Sequence, residues 1–118
     1  MIALVGRARA VRVSPEVARR VVTFGPITQV PGLPPPALGV AVAEGAPCLV
    51  LDPLGDGAPD RRVGLLCDVD GEAVLLVAAR LASPDEAPGD ELDVRAVYGE
   101  VEGIIWARSA QRAYERGA

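Results

Sequence analysis

Three consecutive prolines, Pro34, Pro35 and Pro36, stand directly ahead of two apolar runs at 37–43 and 48–51. Proline fixes φ and offers no amide donor, so this segment must be a rigid, extended connection that joins no sheet ladder. The two runs are separated by Glu44-Gly45. A polar residue and a glycine between apolar runs read as a hairpin turn, with Gly45 taking the positive φ. The stretch 27–52 therefore predicts a strand at 27–30, a stiff crossover that includes Pro31, and a hairpin over 37–51.

Apolar residues make up 50% of the 118, enough for one domain or one domain built from two small lobes. Aromatics reach only 3%, namely Phe24, Tyr98, Trp106 and Tyr114. The core must be filled by Val, Leu, Ile and Ala, and valine in short runs favours strands. Trp106 reads as core, with an interface anchor as the alternative. The twelve basic residues are all arginine and are dispersed, against a net charge of -4. An acidic balance with few stacking aromatics excludes ordinary nucleic-acid binding. Arginine without lysine, in an Ala/Val/Gly/Pro-rich chain, suggests a GC-rich bacterial genome.

The N-terminus has no basic region followed by a long apolar core, which predicts no signal peptide. No apolar run approaches the roughly 20 residues that a membrane-spanning helix needs. A soluble cytoplasmic protein without membrane insertion is expected. Cys48 and Cys67 each sit within an apolar run. Buried reduced thiols are the favoured reading, with a disulfide or a metal site as alternatives.

Residues 2–5 and 8–13 suggest a first hairpin about Gly6-Arg7. Ser14-Pro15-Glu16 is a compact helix start, since Ser caps, Pro suits the first helical position and Glu suits the positive helix end. A helix of about two turns is predicted from there, with Val17 and Val21 facing the core together. Residues 52–60 form a loop dense in Asp, Gly and Pro. Asp70-Gly71 between 62–69 and 72–81 is a strong type I′ hairpin signal. After the polar loop 82–90, the alternation over 92–98 predicts a strand. A last short strand at 104–106 and a helix at 109–116 complete a mostly-β chain of barrel type.

No catalytic constellation is present. Without histidine, a Ser/His/Asp or Cys/His arrangement cannot form. Asp52, Asp56 and Asp60 lack the Glu and Gly placement of a calcium loop and read as a solvated turn. Asp68 and Asp70 flank a hairpin turn, where Asp supports local hydrogen bonds. The glycines at 39 and 45 have no lysine and no following helix to make a phosphate loop. The proline cluster lacks the basic flanks of a ligand for aromatic-lined domains. Neither cofactor nor metal is expected, and an acid-dependent enzyme using paired Asp is the least favoured reading.

With these residues in view, the chain resembles the CheW family, the adaptors that couple chemoreceptors to the histidine kinase CheA. The resemblance covers nearly the whole chain and is strongest over 11–52. Val11 and Val13 match the family's strand, and Ala18 to Val21 its helix run. Pro34, Gly39-Val40, Gly45 and the close Leu49-Val50-Leu51-Asp52 match in ungapped spacing. The hairpin over 63–81 is similar to the family's second-lobe hairpin, and 103–106 to its closing segment. Two positions depart together. Arg20 stands where the family usually carries Glu, and Glu44 stands where it usually carries Arg before the second glycine.

The resemblance implies one CheW-like domain over 1–118 with two small SH3-like five-stranded β-barrels and short helices. Lobe one would cover roughly 14–60 and lobe two roughly 61–105, with the terminal segments crossing between them. It implies a non-enzymatic adaptor whose partners are the regulatory domain of a CheA-type histidine kinase and a chemoreceptor-like coiled coil. Val30, Leu33, Val40 and Val42 are the candidate groove residues, with Arg20 and Glu44 at the rim. The family's two charged positions approach each other, so a pair of swapped polarity is expected, which presents a carboxylate where a receptor would meet a cation. The alternative is a CheW-fold module that serves another partner, such as a motility or polarity regulator or itself. The short length fits a divergent, minimal member.

Overall fold

A computed structural model describes residues 2–86 and 89–103. Nine strands are described: β1 (Ile2–Val5), β2 (Ala10–Val13), β3 (Ala18–Thr23), β4 (Ala37–Ala43), β5 (Ala46–Leu51), β6 (Val63–Val69), β7 (Glu72–Leu76), β8 (Arg80–Ala82) and β9 (Asp90–Leu92). One helix, α1, spans 94–103. The expected strand at 104–106, the helix at 109–116 and Trp106 lie outside the described residues.

The strands form a four-stranded sheet in the order β8-β1-β2-β9 and a five-stranded sheet in the order β3-β6-β7-β5-β4. The five-stranded sheet draws β3, β4 and β5 from 14–60 and β6 and β7 from 61–105. Among the described residues the strands make two open sheets rather than the two small SH3-like five-stranded barrels expected, which corrects that part of the expectation. The five-stranded one curls until its edges approach. The Gly25 amide donates to the Val42 carbonyl at 3.0 Å, and Thr28 and Val40 exchange two backbone bonds of 2.8 and 2.9 Å. No continuous ladder joins the edges, because Pro26 and Pro31 interrupt the segment that would supply it.

Alternation along the central strands divides the interior in two. Leu65, Cys67 and Val69 of β6 with Val74 and Leu76 of β7 join Leu4, Val11, Val13, Val94 and Val101 in the core between the sheets and the helix. Leu75 and Val77 face the other way and pack with Val22, Phe24, Ala41, Cys48 and Val50 inside the curl. A strand segment buried on both faces reads as an apolar run, as Val74, Leu75 and Leu76 of β7 do.

Four elements differ from the sequence reading. Ser14 caps as expected, with its Oγ accepting from the Glu16 amide at 3.1 Å. Yet only one turn forms, closed by the Val17 and Ala18 amides on the Ser14 carbonyl at 3.2 and 3.0 Å. The β-branched run Val21-Val22-Thr23 then favours a strand over a second turn, and it pairs with β6 through a bulge between Ala18 and Arg20. Val17 is consequently buried while Val21 is 48% exposed, so the two do not share the core as predicted. Residues 27–30 form one bridge, Thr28 to Val40, rather than a strand.

The strand predicted over 92–98 is a three-residue strand followed by α1. Asp93 caps the helix, its Oδ1 accepting from Ala96 N at 3.0 Å and its carbonyl from Val97 N at 3.1 Å. Val94, Val97, Tyr98 and Val101 recur at helical spacing and pack on the larger core. The expected long strand over 72–81 is broken as well. Its first part is β7; after Ala78 the chain crosses to the other sheet, where β8 pairs with β1.

Candidate functional site

β3 and β4 lie on opposite edges of the five-stranded sheet, and its curl brings them face to face. Arg20 Nε donates to Glu44 Oε1 at 2.6 Å, and a second guanidinium N–H donates to Oε2, making a two-pronged ion pair across the seam. Both side chains remain largely in solvent. The hydrogen bond from Arg20 holds the Glu44 carboxyl below its ordinary value and raises that of the guanidinium. An exposed pair adds little to stability, so its consequence is a fixed geometry and a fixed display of charge.

Glu44 reaches Arg20 from a turn that glutamate rarely occupies. Glu44 and Gly45 both have positive φ, 52° and 78°, the signature of the turn that matches strand twist. The expectation of positive φ at Gly45 holds, and Glu44 shares it. Val42, two residues before Glu44, is 54% exposed, and Val21, next to Arg20, is 48% exposed. Val21 and Val42 alternate with Val22, Ala41 and Ala43 of the inner core and so face outward on the two edge strands that the pair ties together.

The other expected groove residues divide between two places. Val30 and Leu33 line a shallow hollow of about 370 Å³ with Gln29, Pro31, Ala37 and Leu38. Val40 and Val42 are on β4; Val40 is half-buried and its backbone is engaged by Thr28. A further groove of about 420 Å³ was not foreseen. Val21, Val63, Ala78 and Leu81 line it with Arg61 and Arg80, where β3 and β6 meet the crossing into β8. The signal for it was the pair Val21-Val22: on a strand only one of two consecutive side chains faces the core. Reading that segment as helix hid it.

The candidates for chemistry have structural employment. Asp52 Oδ2 accepts from the Gly57 amide at 2.7 Å, Asp56 Oδ2 from the Arg7 amide at 3.0 Å and Asp68 Oδ1 from the Gly71 amide at 2.7 Å. Among the described residues no group of three His, Cys, Asp or Glu side chains is placed to hold a metal ion. Cys48 and Cys67 are free thiols in different cores, on opposite faces of the sheet. Burial pushes the Cys67 thiol up to about 12, partly offset by the Arg19 charge, and burial raises Cys48 as well. Thiols held protonated in this way are poor nucleophiles. Among the described residues no helix is long and apolar enough to cross a membrane.

No protein-family model and no curated protein matches the chain. Among solved structures, it is similar to the scaffolding protein TtCheW from Thermoanaerobacter tengcongensis, with a TM-score of 0.57 and 15% sequence identity. The likeness covers 70% of this chain and 60% of that one, so the match spans less than two thirds of that protein's length. At this identity the comparison establishes the fold, and the fold is mostly β and CheW-like.

Proposed function

We propose that this protein is a non-enzymatic, cytoplasmic scaffold in a bacterial chemosensory system, coupling a chemoreceptor-like coiled coil to the regulatory domain of a CheA-type histidine kinase. The observation that carries the reading is the seam: an exposed ion pair, Arg20–Glu44, tying together two edge strands that carry the outward-facing valines Val21 and Val42 on a CheW-like fold. Exposed apolar side chains on strands held in a fixed geometry suit a docking surface. Val21 also opens onto the groove with Val63 and Leu81, which gives an apolar helix face somewhere to lie.

The polarity of the pair favours a second reading, a CheW-fold module retuned to another partner. A receptor surface matched to a cation meets the Glu44 carboxylate instead, and a mismatch at a charged contact selects against that partner. Calorimetric titration with the regulatory domain of the CheA-type kinase from the same genome separates the two. Binding with a Kd on the order of 1 μM supports the scaffold. A well-folded protein that does not bind the kinase domain overturns it in favour of the retuned module.

A further inference from the structure

We propose that the pocket beside Asp52 receives a lysine-type ammonium side chain presented by another molecule. Asp52 follows β5 and is the only buried charged residue among those described. Its Oδ2 is committed to the Gly57 amide at 2.7 Å and its own amide to the Pro36 carbonyl at 2.9 Å. Its Oδ1 is buried without a hydrogen-bond partner. A buried carboxylate oxygen without a donor is unfavourable, and a native fold retains one where something supplies the donor.

The residue lines a pocket of about 570 Å³ walled by Pro35, Pro36, Leu38 and Leu54, with Arg9 at the rim. Arg9 donates to the Pro53 carbonyl at 3.2 Å, so the cation at the rim is turned to the backbone rather than to Asp52. The loop in front is built on Gly55 and Gly57, both at positive φ with open space where a Cβ would stand, so no side chain there bars a donor's approach.

The chemistry selects the occupant. One free oxygen suits a point donor better than the planar guanidinium fork, which uses both oxygens of a carboxylate. Proline and leucine walls suit a long aliphatic stem with its charge at the tip. Lysine has both features. The chain itself contains no lysine, so a second copy cannot provide the side chain. The inference is independent of the kinase and the receptor.

The test is an amide-shift titration of the full chain by NMR with N-acetyl-lysine amide. The norleucine compound serves as the same stem without charge, and the arginine compound as the competing cation. The expected result is saturable shifts at Gly55, Gly57 and Leu38, with lysine preferred over norleucine about tenfold, as one charge-assisted hydrogen bond provides. Arginine should bind more weakly than lysine, and Asp52→Asn should abolish the preference. Because Asp52 also holds Gly57, Arg9→Glu at the exposed rim is the second variant, expected to tighten lysine binding several-fold. Equal binding of lysine and norleucine, a preference that survives Asp52→Asn, or no shifts at concentrations on the order of 10 mM would each overturn the proposal and leave Asp52 as a loop clasp.

Discussion

The two hairpins of the five-stranded sheet use one turn and put it to different ends. Asp70-Gly71 and Glu44-Gly45 have nearly the same backbone, with φ of 52° at the first residue of each. Aspartate tolerates that conformation, and the Asp68 carboxylate supports the turn by accepting from Gly71. Glutamate tolerates it less well, and its carboxylate is spent on Arg20 across the seam. The β6–β7 hairpin is central, with both faces of β7 in a core. The β4–β5 hairpin is at the edge and shows Val42 to solvent. A less favourable residue at the same turn, on the exposed hairpin, agrees with the proposal that this edge serves display.

Truncations should separate the hairpins most sharply. Leu75→Ala and Leu76→Ala, each at a fully buried position, should cost about 2–5 kcal/mol in chemical denaturation. Val42→Ala should stay within about 0.5 kcal/mol. A cost at Val42 matching that at Leu76 would show that the outer hairpin is core and break the comparison.

The next effect concerns how the edge is closed. A Cβ on Gly39 would lie 2.2 Å from the Thr28 carbonyl oxygen, and its φ of 154° is also unfavourable for a side chain. Gly39→Ala should therefore cost more than about 1 kcal/mol and expose the Val40 amide to faster hydrogen exchange. Unchanged exchange at Val40 would mean that the bridge does not close the curl.

The smallest effect is the pH response of the ion pair. Hydrogen bonding by Arg20 places the Glu44 carboxyl in the folded protein below its unfolded value, which is about 4.3. The pair's contribution is then complete above that pH and lost as pH falls through the lower folded value. From pH 7 to about 5 nothing should change, and Arg20→Ala should return the Glu44 titration, followed by its side-chain carboxyl shift, to the ordinary range. A Glu44 that titrates normally with Arg20 in place would show that the pair does not persist in solution.

What was legible in the sequence follows the same division. Both turns, the Ser14 cap and the loop 52–60 were readable because each depends on residues adjacent in the chain. The segment 14–23 was not, since Ser-Pro-Glu caps one turn as well as a helix and the decision rests on pairing with β6. Over 92–98, Leu92, Val94 and Tyr98 satisfy a strand period while Val94, Val97, Tyr98 and Val101 satisfy a helical one. The Asp93 cap decides for the helix. The crossing after Ala78 has no local mark, because an apolar run reads alike whether it serves one sheet or two. The Arg20–Glu44 contact links residues 24 apart and came from the family resemblance, which local patterning could not have supplied.

The most direct test of the seam as a partner-facing surface is a titration of the receptor-type coiled coil against the natural protein and against Arg20→Glu with Glu44→Arg. The double swap preserves the ion pair and reverses only its display. The proposed scaffold predicts binding by the natural protein and a loss of about tenfold or more in the swap, the scale of one charged contact reversed. Absent binding by the natural protein with a gain in the swap would contradict it in favour of the retuned module. Equal binding by both, with the fold intact in each, would show that the pair has no say in partner choice.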